Sequence, residues 1–197
     1  MQFIDVLWSI FVLLGIEKVR IVPGITASNA LDLYYMPYTH SLLGVLCWSV
    51  LAYVVCQLVP QLRGKRTGLI LAAAVFSHWI LDLIVHRPDL ALYGSVGRMG
   101  FELWNYRGAA FVLETAVLIG GASMLYRTAA HRARLVGFVI FLAALQVFGT
   151  FFFSPPPSDH AAAITALVFY VVLALLAWWV DSGDPDPRKV SVMKAAA

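Results

Sequence analysis

Charge is what this sequence has least of. Of 197 residues, 14 are Lys or Arg and 11 are Asp or Glu, while 61% are hydrophobic and the mean hydropathy is +0.81. A soluble domain carries about a quarter charged residues, so that class is excluded and a polytopic membrane protein is read instead. Cysteine is scarce too. Cys47 and Cys56 lie nine positions apart on one apolar segment, roughly 13 Å along a helix, which rules out a disulfide between them and leaves the redox compartment open. The sequence also lacks a GxSxG elbow, a phosphate-binding P-loop and a dinucleotide glycine pattern, which removes the motif-based case for serine-hydrolase or nucleotide chemistry. The net charge of +3 is spread over several loops, and nucleic acid is not implied. The first apolar run meets Glu17-Lys18-Val19-Arg20 instead of a small-residue cleavage site, so it is expected to remain as a helix.

What the sequence does have is a series of apolar runs long enough for helices. The expected architecture is an all-α bundle of about six transmembrane helices occupying 1–180 as one domain, followed by a disordered cytoplasmic tail over 181–197. The first span is Met1 to Ile16, extendable to about Val22 if Glu17 faces protein and Lys18 and Arg20 reach the interface. The polar interval Pro23 to His40 is too short to span and is expected at the membrane face. Ser41 to Pro60, Gly68 to His86, Ala109 to Tyr126, Leu135 to Phe153 and Ala161 to Val180 supply the other spans.

Lys and Arg placement then sets the orientation. With six spans, Arg63, Lys65, Arg66, Arg127, Arg132, Arg134, Arg188, Lys189 and Lys194 share one side, and Lys18, Arg20, Arg87, Arg98 and Arg107 share the other. The positive-inside rule puts both termini in the cytoplasm. Asp32, His40, His86, Asp89, Trp104, Asn105 and His160 are thereby expected on the opposite face.

The chemistry concentrates in Ser77-His78-Trp79-Ile80-Leu81-Asp82 and the His86-Arg87-Pro88-Asp89 that follows. His78, Asp82 and His86 recur every four residues, so on a helix they form one row. Ionisable groups at that depth are costly unless partnered. A set of two or three imidazoles with one or two carboxylates suits Zn²⁺, Mn²⁺ or Fe²⁺ better than Ca²⁺ or Mg²⁺. The competing reading is a polar network that only locks helix packing. His40, His78 and Asp82 are the candidate ligands. Asp32 reads equally as a ligand, as a carboxylate supporting an imidazole, or as a turn residue. Asp32, Glu17 and His86 are the candidates for proton transfer, and Arg87, Asp89, Trp104 and Asn105 for substrate binding; Glu17 reads equally as a partner of Lys18 or Arg20, and His86 equally as an ordinary hydrogen-bonded histidine or a ligand. Asp5 reads as an interfacial cap and Glu114 as a group that holds helices together.

These residues resemble a known family. Gly15-Ile16-Glu17-Lys18-Val19-Arg20 with Pro23-Gly24-Ile25-Thr26, then Pro37-Tyr38-Thr39-His40-Ser41, Ser77-His78-x-x-x-Asp82, His86-Arg87-Pro88-Asp89-Leu90 and Leu103-Trp104-Asn105 are similar to the YdjM-type bacterial inner-membrane proteins, described as membrane-bound metal-dependent hydrolases. The resemblance runs through nearly the whole chain. It implies a metal site at His40, His78 and Asp82, with Asp32 as a further group, and a location in the bacterial inner membrane. The arginine that the family often carries before Thr-His-Ser is replaced by Pro37 and Tyr38.

The expected function is therefore hydrolysis of an ester or phosphoester on a lipid-like substrate near the outer leaflet, with the site facing the periplasm. The expected cofactor is a divalent transition metal, Zn²⁺ first and Mn²⁺ or Fe²⁺ as alternatives, and the lipid bilayer is the expected partner. Two rivals stand beside it: a noncatalytic accessory subunit of a membrane complex, and a small ion- or proton-coupled transporter.

Overall fold

The computed structural model describes residues 2–129, 131–152 and 154–182. Its helices are α1 (Phe3–Leu13), α2 (Leu42–Leu58), α3 (Lys65–Val85), α4 (Arg107–Tyr126), α5 (Arg132–Phe151) and α6 (Asp159–Asp181). A two-stranded sheet, β1 (Lys18–Ile21) with β2 (Leu31–Tyr35), lies between α1 and α2 in sequence. The fold is thus mostly helical with a small β element, where an all-helical bundle was expected.

Length and composition make α3, α4, α5 and α6 fit to cross a membrane. With 11 and 17 residues, α1 and α2 are about 16 and 25 Å long, short of a hydrocarbon core of about 30 Å. The first helix does not run on towards Val22. It stops at Leu13, and Gly15 follows with φ +71°, a left-handed conformation that glycine adopts at little cost. The amides of Ile16 and Glu17 both turn back to the Phe11 carbonyl, at 2.8 and 3.1 Å. Beyond the turn, Lys18-Val19-Arg20-Ile21 alternates charged with apolar, a period of two that suits a strand better than a helix. Val19 is buried while Lys18 and Arg20 are exposed.

The strands pair antiparallel, with Arg20 opposite Asp32 and a bulge between Lys18 and Arg20. The segment 86–106 follows α3 and completes two helix ends. The amides of Leu42 and Leu43, at the start of α2, donate to the carbonyls of Ala91 and Leu92 at 2.9 and 3.0 Å. The carbonyls of Leu83 and His86, at the end of α3, accept from the amides of Phe101 and Glu102 at 2.8 and 2.7 Å. Helix termini leave such groups unpaired, and one stretch of chain supplies both sets. Gly100 makes this possible, because a Cβ there would collide with the carbonyls of His86 and Arg87.

The chain divides into two compact units. Among the described residues, one comprises 2–110 with 154–170 and the other 111–152 with 171–182. In the first, Trp8, Val12, Val19, Leu33, Met36 and Ala163 form one apolar cluster, and Ile4, Val45, Val75 and Trp79 form another. Helix α1 contributes to both, with Asp5 between Ile4 and Trp8 in sequence. In the second unit, Gln146 on α5 donates to Glu114 on α4 at 3.1 Å and Thr115 donates to Gln146 at 3.2 Å. Arg134 donates to the Ser182 carbonyl at 2.8 Å, with its guanidinium over the Trp179 ring. The tail expected to be disordered lies, from 183 onwards, outside the described residues.

Candidate metal centre

Each residue of Thr39-His40-Ser41 has a separate task. Ser41 caps α2, accepting from the Gly44 amide at 3.0 Å and donating to the Pro37 carbonyl at 2.6 Å. That cap fixes where the helix starts. His40, immediately before it, is held with its ring buried. Thr39 is fully buried and donates from Oγ1 to Glu17 Oε2 at 2.5 Å, while the same oxygen lies 2.8 Å from His40 Nδ1.

His78 and Asp82 come from α3, one turn apart, and Asp5 comes from the first turn of α1. His40 Nε2 lies 3.5 Å from His78 Nε2 and 3.5 Å from Asp5 Oδ1, and His78 Nε2 lies 3.4 Å from Asp5 Oδ1. Asp82 Oδ2 lies 3.0 Å from His78 Nε2 and 3.7 Å from His40 Nε2. Ligands held at about 2.0–2.2 Å in a tetrahedron stand about 3.3–3.6 Å apart, and the Asp5, His40 and His78 triangle has that size. These three could hold a metal ion. Asp82 Oδ2 is buried against the His78 imidazole and stands outside the triangle of Asp5, His40 and His78, so the expected ligand Asp82 is replaced in that triangle by Asp5.

Asp5 is the member that reading the sequence as an interfacial cap misses. The signal was present: Phe3-Ile4-Asp5-Val6-Leu7-Trp8 places a carboxylate on the helix whose Ile4, Trp8 and Val12 are buried. Tyr170 of α6, also missed, brings its hydroxyl to the Asp5 carboxylate.

A second polar network adjoins the first. His86 caps α3 and is buried. Its ring lies 6.3 Å from that of His40 and 4.4 Å from that of Trp104. His86 Nδ1 is 3.0 Å from Asp89 Oδ1, and Arg87 Nε donates to Asp89 Oδ2 at 3.2 Å. Arg87 also donates to Asp32 Oδ1 through Nη2. The other Asp32 oxygen accepts from Arg20 Nε at 3.0 Å and Nη2 at 2.6 Å. The register that sets Arg20 against Asp32 thereby connects the sheet to the segment after α3.

Two of the expected proton acceptors are consequently engaged. Asp32 is held between two guanidiniums. Glu17 is fully buried, its Oε1 accepting from the amides of Tyr38 and Thr39 at 2.8 and 2.9 Å and its Oε2 from the Thr39 hydroxyl. Asn105 is exposed and donates to Glu102 at 3.3 Å, outside the histidine cluster.

Comparison with known proteins adds no family to this geometry. No family model, curated protein or solved structure matches the chain. The case for a function therefore rests on the arrangement of these side chains.

Proposed function

We propose that this protein is a membrane-embedded, metal-dependent hydrolase acting on an ester or phosphoester of a lipid-like substrate. The observation that carries the reading is the convergence of Asp5, His40 and His78 on one point, with the Asp82 carboxylate against His78 at 3.0 Å. Two imidazoles and one carboxylate favour Zn²⁺, with Mn²⁺ and Fe²⁺ as alternatives. A divalent transition metal there would supply Lewis acidity and bring a water's pKa towards neutrality.

The protein's own groups do the rest. His86 is the proton acceptor in this reading, because Glu17 and Asp32 are committed to other donors and His86 has an orienting carboxylate of its own. Asp89 accepts from Nδ1 of His86, which leaves Nε2 to take the proton. Arg87 keeps Asp89 in place, and Trp104 packs on the imidazole as one wall. The segment 86–106 is the part of the chain placed to meet a head group.

In the same proposal α3, α4, α5 and α6 cross the inner membrane of a bacterium, the shorter α1 and α2 lie in it without crossing it alone, Arg63, Arg66, Arg127 and Arg134 face the cytoplasm, and the site opens near the outer leaflet. The test is hydrolysis of a panel of lipid esters and phosphoesters in mixed micelles with added Zn²⁺ or Mn²⁺. Turnover that chelator abolishes and His86→Ala lowers by about 10²–10⁴-fold supports the reading. Metal-loaded, folded protein with no turnover on either class would contradict the hydrolase assignment and favour the accessory role.

A further inference from the structure

The hydrogen bonds behind His40 have a direction, and it determines which imidazole nitrogen is bare. Glu17, as a carboxylate, only accepts: Oε1 takes two backbone amides and Oε2 takes the Thr39 hydroxyl at 2.5 Å. A hydroxyl has one proton, and here it is spent on Glu17. Thr39 Oγ1 can then only accept from its remaining neighbour, His40 Nδ1 at 2.8 Å. The proton of a neutral His40 must therefore sit on Nδ1, and Nε2, the atom 3.5 Å from both His78 Nε2 and Asp5 Oδ1, keeps its lone pair. Glu17, Thr39 and His40 are all at most 4% exposed, so water does not compete for these bonds.

We infer that Glu17 and Thr39 form a tautomer lock: a positioning pair that holds His40 in its Nδ1–H form so that Nε2 is available to a divalent transition metal. The inference rests on the metal reading above, but it assigns different residues a different task. Partners behind a ligating imidazole fix its tautomer and ring orientation, and their loss weakens metal affinity by about 10–100-fold. The serial arrangement makes a specific demand on Glu17. In Glu17→Gln the amide oxygen must still face the two backbone donors, so the NH₂ group takes the place of Oε2 and donates to Thr39. The Thr39 proton then turns towards His40 Nδ1 and drives the imidazole proton to Nε2, where it blocks the ligand position.

The experiment combines histidine ¹⁵N–¹H long-range NMR on metal-free protein with competitive Zn²⁺ titration in detergent. It compares wild type, Thr39→Val, Thr39→Ser and Glu17→Gln, each checked for monodisperse elution and thermal unfolding. The expected result is an Nδ1–H His40 in wild type and Thr39→Ser. An Nε2–H or mixed form, with Zn²⁺ affinity lower by about 10–100-fold, is expected in Thr39→Val and Glu17→Gln. Wild type that binds Zn²⁺ together with variants that bind as tightly overturns the lock and leaves the metal site standing. Wild type that binds no Zn²⁺ overturns the metal reading instead. The NMR comparison needs no metal: an Nε2–H His40 in wild type overturns the lock even if both variants fail to fold.

Discussion

At the scale of single residues, the site separates atoms that converge on a point from atoms that support them. His40, His78 and Asp82 are legible in the sequence because ionisable residues in or beside an apolar run are conspicuous, and His78 and Asp82 are spaced one turn apart. Asp5 is not legible in the same way, since an acid in the first turn of a helix is ordinary. Thr39 is less legible still, because a buried hydroxyl gains meaning only from the groups on either side of it. The role of Glu17 reverses for the same reason: the sequence offers it as a base, while two backbone amides and a hydroxyl occupy it in the fold. His86 and Asp89 give a direct test at this scale. Asp89→Asn keeps the shape but replaces an acceptor with an amide that can donate to Nδ1. Turnover on whichever lipid ester or phosphoester is a substrate should fall by about 10²-fold or more, while bound metal stays at the wild-type level. Loss of metal instead would place Asp89 among the groups that hold the cation.

Among the elements, the sheet and the segment after α3 are what the sequence conceals. Lys18-Val19-Arg20-Ile21 follows an apolar helix with little punctuation, so its alternation passes for the frayed end of a span until the turn at Gly15 separates the two. Segment 86–106 has the composition of a loop, yet its backbone completes the start of α2 and the end of α3 at once. His40 stands just before the cap of α2 and His78 lies on α3, so this segment helps set the distance between them. Gly100 is its weakest point. Gly100→Ala forces a methyl group against the His86 and Arg87 carbonyls and should destabilise the protein by roughly 1–3 kcal/mol, read as a lower thermal midpoint in detergent. Gly94→Ala, where a Cβ would meet open space but φ is +55°, tests conformational strain without the collision and should cost roughly 1–2 kcal/mol. If Gly100→Ala unfolds no earlier than that control, the segment does not hold the helix ends as described.

For the whole molecule, hydropathy made the helical class plain and four helices meet the length a bilayer demands, while the short α1 and α2 show why counting apolar runs overstates helix length. The proposed orientation predicts which positions water reaches from each side. With Cys47 and Cys56 replaced by Ser, a single Cys at Tyr93 should react with a membrane-impermeant maleimide from outside intact spheroplasts. A single Cys at Arg63 should react only after lysis. The reverse pattern would invert the protein and put the site on the cytoplasmic face.

If Asp5, His40 and His78 hold a transition metal with Asp82 against His78, elemental mass spectrometry of chelator-free protein in mild detergent will detect it. Wild type should carry close to one Zn²⁺, Mn²⁺ or Fe²⁺ per chain, and Asp5→Asn, His78→Ala and Asp82→Asn should each lose most of it while eluting as folded protein. Folded wild type that remains metal-free after Zn²⁺ and Mn²⁺ are added would rule out the metal centre and leave these residues as a packing network.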